Sequence, residues 1–424
     1  MNELRAQDAV EQALSIAAGL AGVEGCVVIA DENSSANLRW ANNTLTTNGV
    51  TQGRRLTVVA TVDGAQGLAA GVVSRTALHR SDIENLVQAA AGAARENTPA
   101  QDATPLVAQT DATGAAWDDD PAETSATVFD TFVGTLGEQL TVADSQQRVL
   151  FGFAEHDVTS TFLGSSTGVR LRHDQPTGSV EMNAKSPDFT RSAWGGAATR
   201  DFTDVDLAHL HADLARRLDW AMRRVDLPAG RYDTILPPTA VADFMIYLYW
   251  SAGARDAHDG RTVFSKPGGG SRVGESLAAS ALTLRSDPFE PHLECNPFVV
   301  AHASSAESSV FDNGLALRPT SWIESGRLAS LVQTRYSAGL TGQPVTPAID
   351  NLILEGPGRG PSLDEMITGS KRSLLLTCLW YIREVDPQTL LLTGLTRDGV
   401  YLVEDGEVEH FQVTMKIGFR LEDV

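Results

Sequence analysis

Cysteine is scarce in this 424-residue chain: only Cys26, Cys295 and Cys378 occur, at wide and irregular spacing. That pattern matches neither a secreted disulfide framework nor a paired-cysteine zinc cluster, and it points to a reducing compartment. Long apolar runs are missing too. The longest, Leu374 to Ile382, is broken by Thr377 and falls short of the roughly 20 residues that cross a bilayer. The amino-terminal residues mix Glu3, Arg5, Asp8 and Glu11 with apolar side chains, so a basic segment followed by an apolar core, the mark of a signal peptide, is lacking. Positive charge is in deficit. Against 54 Asp and Glu stand 33 Lys and Arg, a formal net charge of −21. Phosphate backbones and anionic lipid repel such a surface, which argues against nucleic acid and membrane as partners. The expectation is a cytoplasmic protein.

The length allows two or three domains, each able to bury its own core. The first residues read as an amphipathic helix, followed by strand-like segments near Cys26 to Ala30 and by a hairpin signal at Asp63-Gly64. Ser81 and Glu84 form a capping-box pattern ahead of Ile83, Leu86, Val87, Ala90 and Ala94 at helical spacing. From Glu96 to Gln147 there is no Lys or Arg, and the Asp, Ala, Thr and Pro content suits a solvated linker. A helix is expected from Ala126 to Val142, then antiparallel strands. Another helix comes next, striped by Leu207, Leu210, Leu214, Leu218, Ala221 and Val225 and ended by Pro228-Ala229-Gly230. Beyond it lies a buried helix through Val241, Phe244, Leu248 and Ala252, and then β segments with Ser325-Gly326, Asp398-Gly399 and Asp405-Gly406 turns. The resulting expectation is an α+β fold with an N-terminal α/β domain (1–100), an acidic linker (101–125), a middle α/β domain (126–227) and a β-rich C-terminal domain (228–424).

Several catalytic patterns nearly match and fail on context. Gly164 to Gly168 spells GxSxG, but strand-like sequence continues after it where a nucleophile elbow needs a helix. Gly269 to Ser276 has P-loop glycine spacing with Glu275 in place of the lysine, and an acid there repels phosphate. His209 and His211 are two apart on a helix and diverge, so they cannot chelate one ion. His258 with Asp256 and Asp259 reads either as a metal loop or, more simply, as ordinary turn chemistry. The loop around Gly268, Gly269 and Gly270 is either a flexible surface loop or a place where another backbone comes close. Trp380 and Tyr381 are expected in the core or an interface, and Cys378 as a small buried hydrophobe.

The order of several blocks is informative: LRWANNTL with VDGAQGLAAG, RYDTILPPTAVADF, DGRTVFSKPGGGSRVGE, SWIESGRLASLVQTRYSAG and YIREVDPQTLLLTGLTRDGVYLVEDGEV. Together they resemble the TldD/PmbA (TldE) family of metallopeptidase subunits, over about residues 1 to 409. The resemblance implies that TldD-type subunits hold zinc through a helical HExxxH motif and a distant cysteine, the glutamate acting as general base. Here the matching stretch is Pro238-Thr239-Ala240-Val241-Ala242-Asp243, with Cys378 near the cysteine position as a vestige. The chain therefore resembles the PmbA/TldE type, which lacks HExxxH. That resemblance implies no catalytic residue and no cofactor in this chain, zinc in a TldD-like partner, and a heterodimer that hydrolyses unfolded peptides or peptide precursors. Gly268, Gly269, Gly270, Arg335, Tyr336 and Trp380 would line the substrate or partner groove. Two other readings stand beside it: a peptide-binding scaffold homodimer, and a subunit of an amide hydrolase in natural-product maturation. The resemblance also implies that relatives run on beyond the tail after Glu409 by some tens of residues, an expectation of a shortened or replaced C-terminus.

Overall fold

The computed structural model describes residues 4–76, 81–109, 117–396, 398–409 and 416–419. Helix α1 (Ala6–Gly19) forms where Ala6, Ala9, Val10, Ala13, Leu14 and Ala17 share one buried face. Strands β1 (Gly25–Ala41), β2 (Thr44–Gly64) and β3 (Gly67–Thr76) come after it, then α2 (Asp82–Glu96), α3 (Asp130–Ser145), β4 (Val149–Ser165), β5 (Arg170–Lys185), β6 (Ser192–Thr199) and α4 (Leu207–Trp220). The six strands make one antiparallel sheet in the order β3-β2-β1-β4-β5-β6.

This sheet overrides the division into residues 1–100 and 126–227. Strand β1 pairs with β2 on one side and with β4 on the other, with Val27 opposite Ser165 and Trp40 opposite Gly152. Side chains alternate along a strand. Cys26, Val28 and Ala30 pack with α1 and α2, and farther along the same face Ala36, Leu38 and Trp40 pack with α3 and α4. Both helix pairs are therefore covered by one continuous strand, and the two segments share a sheet. The expected linker, 101–125, is a packed strap in its described residues. Val107 is buried, Leu106 packs on the opposite sheet face, and the Thr124 N–H donates to Ser34 Oγ at 2.8 Å. Residues 110–116 lie outside the described part.

Three local expectations shift. Ser81 adopts helical backbone angles, and its hydroxyl makes no cap bond, because a capping side chain reaches back only from an extended residue. The β2–β3 hairpin turns over Ala65-Gln66, with Gly64 opposite Gly67, so Asp63-Gly64 belongs to the strand. Helix α4 ends at Trp220, well before Pro228, and Val225 packs in a different cluster.

The C-terminal part is assembled from short pieces: β7 (Thr234–Ile235), α5 (Pro238–Trp250), α6 (Ala254–His258), β8 (Thr283–Ser286), β9 (Thr320–Glu324), β10 (Arg327–Leu328), α7 (Arg335–Thr341), β11 (Ile353–Glu355), α8 (Leu363–Gly369), β12 (Arg372–Leu376), β13 (Trp380–Asp386), β14 (Leu391–Leu395), β15 (Val400–Glu404), β16 (Glu407–Glu409) and β17 (Lys416–Phe419). Its sheets run β10-β9-β8-β11, β16-β15-β12-β7 and β13-β14-β17. Ser325-Gly326 and Asp405-Gly406 close hairpins with positive φ at both residues, as type I′ turns require. Asp398-Gly399 does not, since it joins β14 to β15 across two different sheets. The tail expectation concerns residues after Glu409, of which 410–415 and 420–424 lie outside the described part. No helix among the described residues is long and apolar enough to cross a membrane.

The parts meet on the second face of the large sheet. Val27, Ile29, Val59, Leu163 and Leu171 pack against Phe298, Val310 and Phe311. His302 Nδ1 lies 3.1 Å from Thr57 Oγ1, its Nε2 lies 3.4 Å from Asp31 Oδ2, and the Ser304 and Ser309 hydroxyls donate to Asp102 at 2.6 Å. Farther along the same face, Asn37, Arg39, Phe153, Glu155 and Glu181 stay half-buried or exposed.

Candidate functional site

The apolar run Leu374 to Ile382, which reads as one strand, is bent in the middle. Strand β12 ends at Leu376, Thr377 to Leu379 form a buried crook, and β13 begins at Trp380 in another sheet. The bend is held from behind by Gly399, whose carbonyl accepts the Thr377 N–H at 2.8 Å. A Cβ on Gly399 would lie 2.4 Å from Thr377 Oγ1 and 2.9 Å from the Cys378 nitrogen. Only glycine lets the two backbones approach so closely. Trp380 Nε1 donates to Cys378 Sγ at 3.2 Å, and the Ser192 hydroxyl of β6 donates to the Asp398 carboxylate. Trp194 of β6 meets Trp380 edge to face at 6.0 Å, and Arg217 of α4 donates to the Trp194 carbonyl at 2.8 Å. The crook is thus fastened to the large sheet as well as to its own unit.

Helix α5 lies along this crook and touches it at helical spacing. Pro238 sits in the first turn, where its missing N–H costs nothing. One helix face then supplies Thr239, whose hydroxyl donates to the Thr377 carbonyl at 3.5 Å, Asp243, whose carboxylate accepts from the Leu379 backbone, and Tyr247, whose hydroxyl donates to the Ile382 carbonyl at 2.8 Å. Residues four apart stack on one side of a helix. The rest of α5 departs from expectation. Within the helix Ala240 alone is fully buried, whereas Val241, Phe244 and Leu248 are half-buried. Trp250 is 58% exposed, packed edge to face on Tyr247. Tyr381 and Val385 of β13 are 64% and 57% exposed, so Tyr381 is not a core residue. Its φ of 51° turns the chain at the start of β13, and strand alternation then sends it opposite to Trp380.

The electrostatics of the site are those of burial. Desolvation pushes the Asp243 carboxyl up to about 6, held back in part by the Leu379 N–H. Desolvation also raises the Cys378 thiol. The Trp380 and Asp398 N–H groups and the Arg217 charge oppose this, and the Asp398 carboxylate reinforces it. Cys378 is a neutral thiol at pH 7, neither nucleophile nor ready ligand. Behind it Tyr401 is completely buried, its hydroxyl without a hydrogen-bond partner among the described residues, and burial raises its pKa. Among the described residues, no group of three or more His, Cys, Asp and Glu side chains could hold a metal ion.

The other residues picked out by sequence lie elsewhere. Gly268, Gly269 and Gly270 form an exposed turn with positive φ, closed by the Gly270 carbonyl accepting from Lys266 N–H at 2.9 Å, with Lys266 and Arg272 both paired to Glu275. Arg335 clamps the buried Asp312 carboxylate at 2.6 Å, which starts α7, and Tyr336 lies under the Arg255 guanidinium at 5.7 Å. Of the six residues expected to line a groove Trp380 alone lies at the crook, beside Cys378. Asp256 and Asp259 are both taken by Arg261, so the loop at His258 is ion-paired turn chemistry. His211 is buried with Nδ1 2.9 Å from Gln139 Oε1, and His209 is exposed. Sequence reasoning missed Ser192, Trp194, Arg217 and Asp398, which reach the crook from strands and helices distant in the chain. The Asp-Gly pair at Asp398 was visible but pointed to a turn.

A family model, the PmbA/TldA metallopeptidase C-terminal domain, matches residues 229–421. Among solved structures, TldE from Thermococcus kodakarensis superposes with a TM-score of 0.78 at 17% identity, covering 97% of this chain and 91% of that one. A Thermotoga maritima protein described as a candidate modulator of a DNA gyrase gives 0.75 at 15% identity, with 98% and 92% covered. A Bacteroides thetaiotaomicron protein of the same description gives 0.72 at 14% identity, with 98% and 91% covered. Among curated proteins none matches this sequence. At these identities the superpositions establish the fold.

Proposed function

From the premise that the chain belongs to the TldD/PmbA/TldE family, we propose that it is a PmbA/TldE-type subunit: it holds no catalytic zinc and works beside a TldD-like chain that does. The reading rests on the inner face of α5. At the positions where the resemblance puts a metal-binding helix, the side chains facing the crook are Thr239, Asp243 and Tyr247, each engaged with a backbone group of residues 377–382. Pro238 offers no donor atom, and Cys378 is protonated and bonded to Trp380. This donor set does not fit a tetrahedral zinc site, which needs about three protein ligands and a general base. No step of hydrolysis is assigned to this chain.

What it offers instead is shape. The crook is buried and tied to Gly399, and the outward side of α5 with Trp250, together with Tyr381 and Val385 on β13, is apolar surface that supports docking of a partner subunit. An unfolded peptide or peptide precursor would then be cleaved at the partner's zinc, with this chain forming one wall. The test is metal content and peptide cleavage by the chain purified alone and co-expressed with a TldD-like chain. Zinc and cleavage of an unfolded peptide are expected only in the second case. About one zinc per chain with cleavage by the isolated protein overturns the reading, and so does a TldD-like chain that never co-purifies.

A further inference from the structure

Every exposed edge of a β-sheet is a row of unpaired N–H and C=O groups, and folds cover or charge such edges. Among the described residues this sheet has four such stretches: contacts cap β3 and β6, and the free half of β5, 170–177, carries the charged residues Arg170, Arg172 and Asp174. Along β3 the Ala100 N–H donates to the Leu68 carbonyl at 2.9 Å, and the Asn97 amide donates to the Ala70 carbonyl at 2.8 Å. Along β6 Arg217 caps the Trp194 carbonyl. The fourth is the outer half of β2. Strand β3 pairs with β2 only from Arg55 to Gly64, while β2 continues beside β1 out to Thr44. From Thr44 to Arg54 its other side has no strand neighbour among the described residues, and these residues are nearly all exposed.

The chemistry of that edge is unusual for this chain. The stretch TLTTNGVTQG (44–53) contains no Asp, Glu, Lys or Pro, in a protein of net charge −21. The usual devices that keep edges apart are absent where the overall charge would supply them most easily. Folded back on itself about Gly49, the stretch is also self-complementary. Antiparallel pairing places Thr47 opposite Thr51, Thr46 opposite Gln52, Asn48 opposite Val50 and Thr44 opposite Arg54. No like charges meet, and threonine pairs are favourable across strands.

We propose that the free edge of β2, Thr44 to Arg54, pairs antiparallel with the same edge of a second copy of this chain, about a two-fold axis at Gly49. The two sheets become one, and the interface is isologous, the commonest symmetry of homodimers. Such pairing is independent of the zinc-subunit reading, because it concerns the chain purified alone.

Light scattering of the purified chain should give the mass of a dimer. Thr47→Lys/Thr51→Lys sets like charges face to face across the axis and should raise the dissociation constant at least ~10-fold, whereas Thr47→Lys/Thr51→Glu should restore the dimer. All these side chains are exposed, so circular dichroism should be unchanged. Gly49→Cys tests the register. A Cβ there has only the Asn37 side chain near it, at 3.8 Å, and Cys26, Cys295 and Cys378 are buried. Oxidation should therefore cross-link this variant into a covalent dimer and leave the parent uncross-linked. A monomeric parent, a doubly lysine-substituted chain that stays dimeric, or a Gly49→Cys variant that does not cross-link overturns the proposal. A monomer whose residues 44–54 gain amide-exchange protection only when an unfolded peptide is added assigns the edge to peptide, and overturns it equally.

Discussion

The large sheet and the C-terminal assembly are built on opposite terms. In the sheet, β1 and β2 run 17 and 21 residues, and one face of β1 serves two apolar clusters, Cys26 to Ala30 and Ala36 to Trp40, with Glu32 and Ser34 between them. Among the described residues of the C-terminal assembly no strand exceeds the 7 residues of β13, and the apolar run through Cys378 serves two sheets with a bend between them. Regular pairing gives a frame whose energetics is spread along it. Irregular short pieces instead concentrate close contacts and buried polar groups at a few points, and the candidate site is one of them.

Four substitutions test that contrast. Phe311 is fully buried where the two parts meet. Phe311→Ala should cost about 3–5 kcal/mol in urea unfolding and should lower the stability of both parts together; a loss confined to one part would separate them. Gly399→Ala comes next. Its methyl would press on Thr377 and the Cys378 backbone, and about 1–3 kcal/mol is expected, with quenching of Trp380 fluorescence as a local readout.

Asp243→Asn sharpens the comparison through pH. Its carboxyl rises from 3.8 to about 6 in the fold. Between those values the native state binds more protons than the unfolded one, so this group's contribution favours folding at low pH and is lost as pH rises through the window. The asparagine keeps an acceptor for Leu379. It should match the parent near ~pH 4 and be more stable by about 1 kcal/mol near ~pH 8, a figure reduced because the group is only half-buried. The smallest effect belongs to Ser81→Ala. With no cap bond to lose, it should change the free energy of urea unfolding by under about 0.5 kcal/mol, where a working cap would cost ~1.

Helix α2 was legible from spacing alone, because Ile83, Leu86, Val87, Ala90 and Ala94 all reach the core as their period requires, whereas α6, α7 and α8, of 5 to 7 residues, are too short to show a period. The Ser325-Gly326 and Asp405-Gly406 turns were equally plain, since few residue pairs accept two positive φ values. Domain boundaries were not. A stretch without Lys or Arg looks like a linker, yet Leu106 and Val107 suffice to pin it to the sheet. Helix α5 looked wholly buried because its composition is apolar, but composition does not say whether the covering surface belongs to the same chain. At the site, Asp243, Cys378 and Trp380 were named from the resemblance. Ser192, Arg217 and Asp398 were invisible to it, because long-range contacts leave no local pattern.

The pairing of β1 with β4 carries a consequence for synthesis. Val27 finds Ser165 as its neighbour, so the middle of the sheet cannot close until the ribosome has released most of the first two hundred residues, and ordering delayed by such sequence separation is slow. Ile29 and Val59 wait longer still, until Phe298, Val310 and Phe311 arrive to pack on their face, so the nascent sheet presents an apolar surface through most of the chain's synthesis.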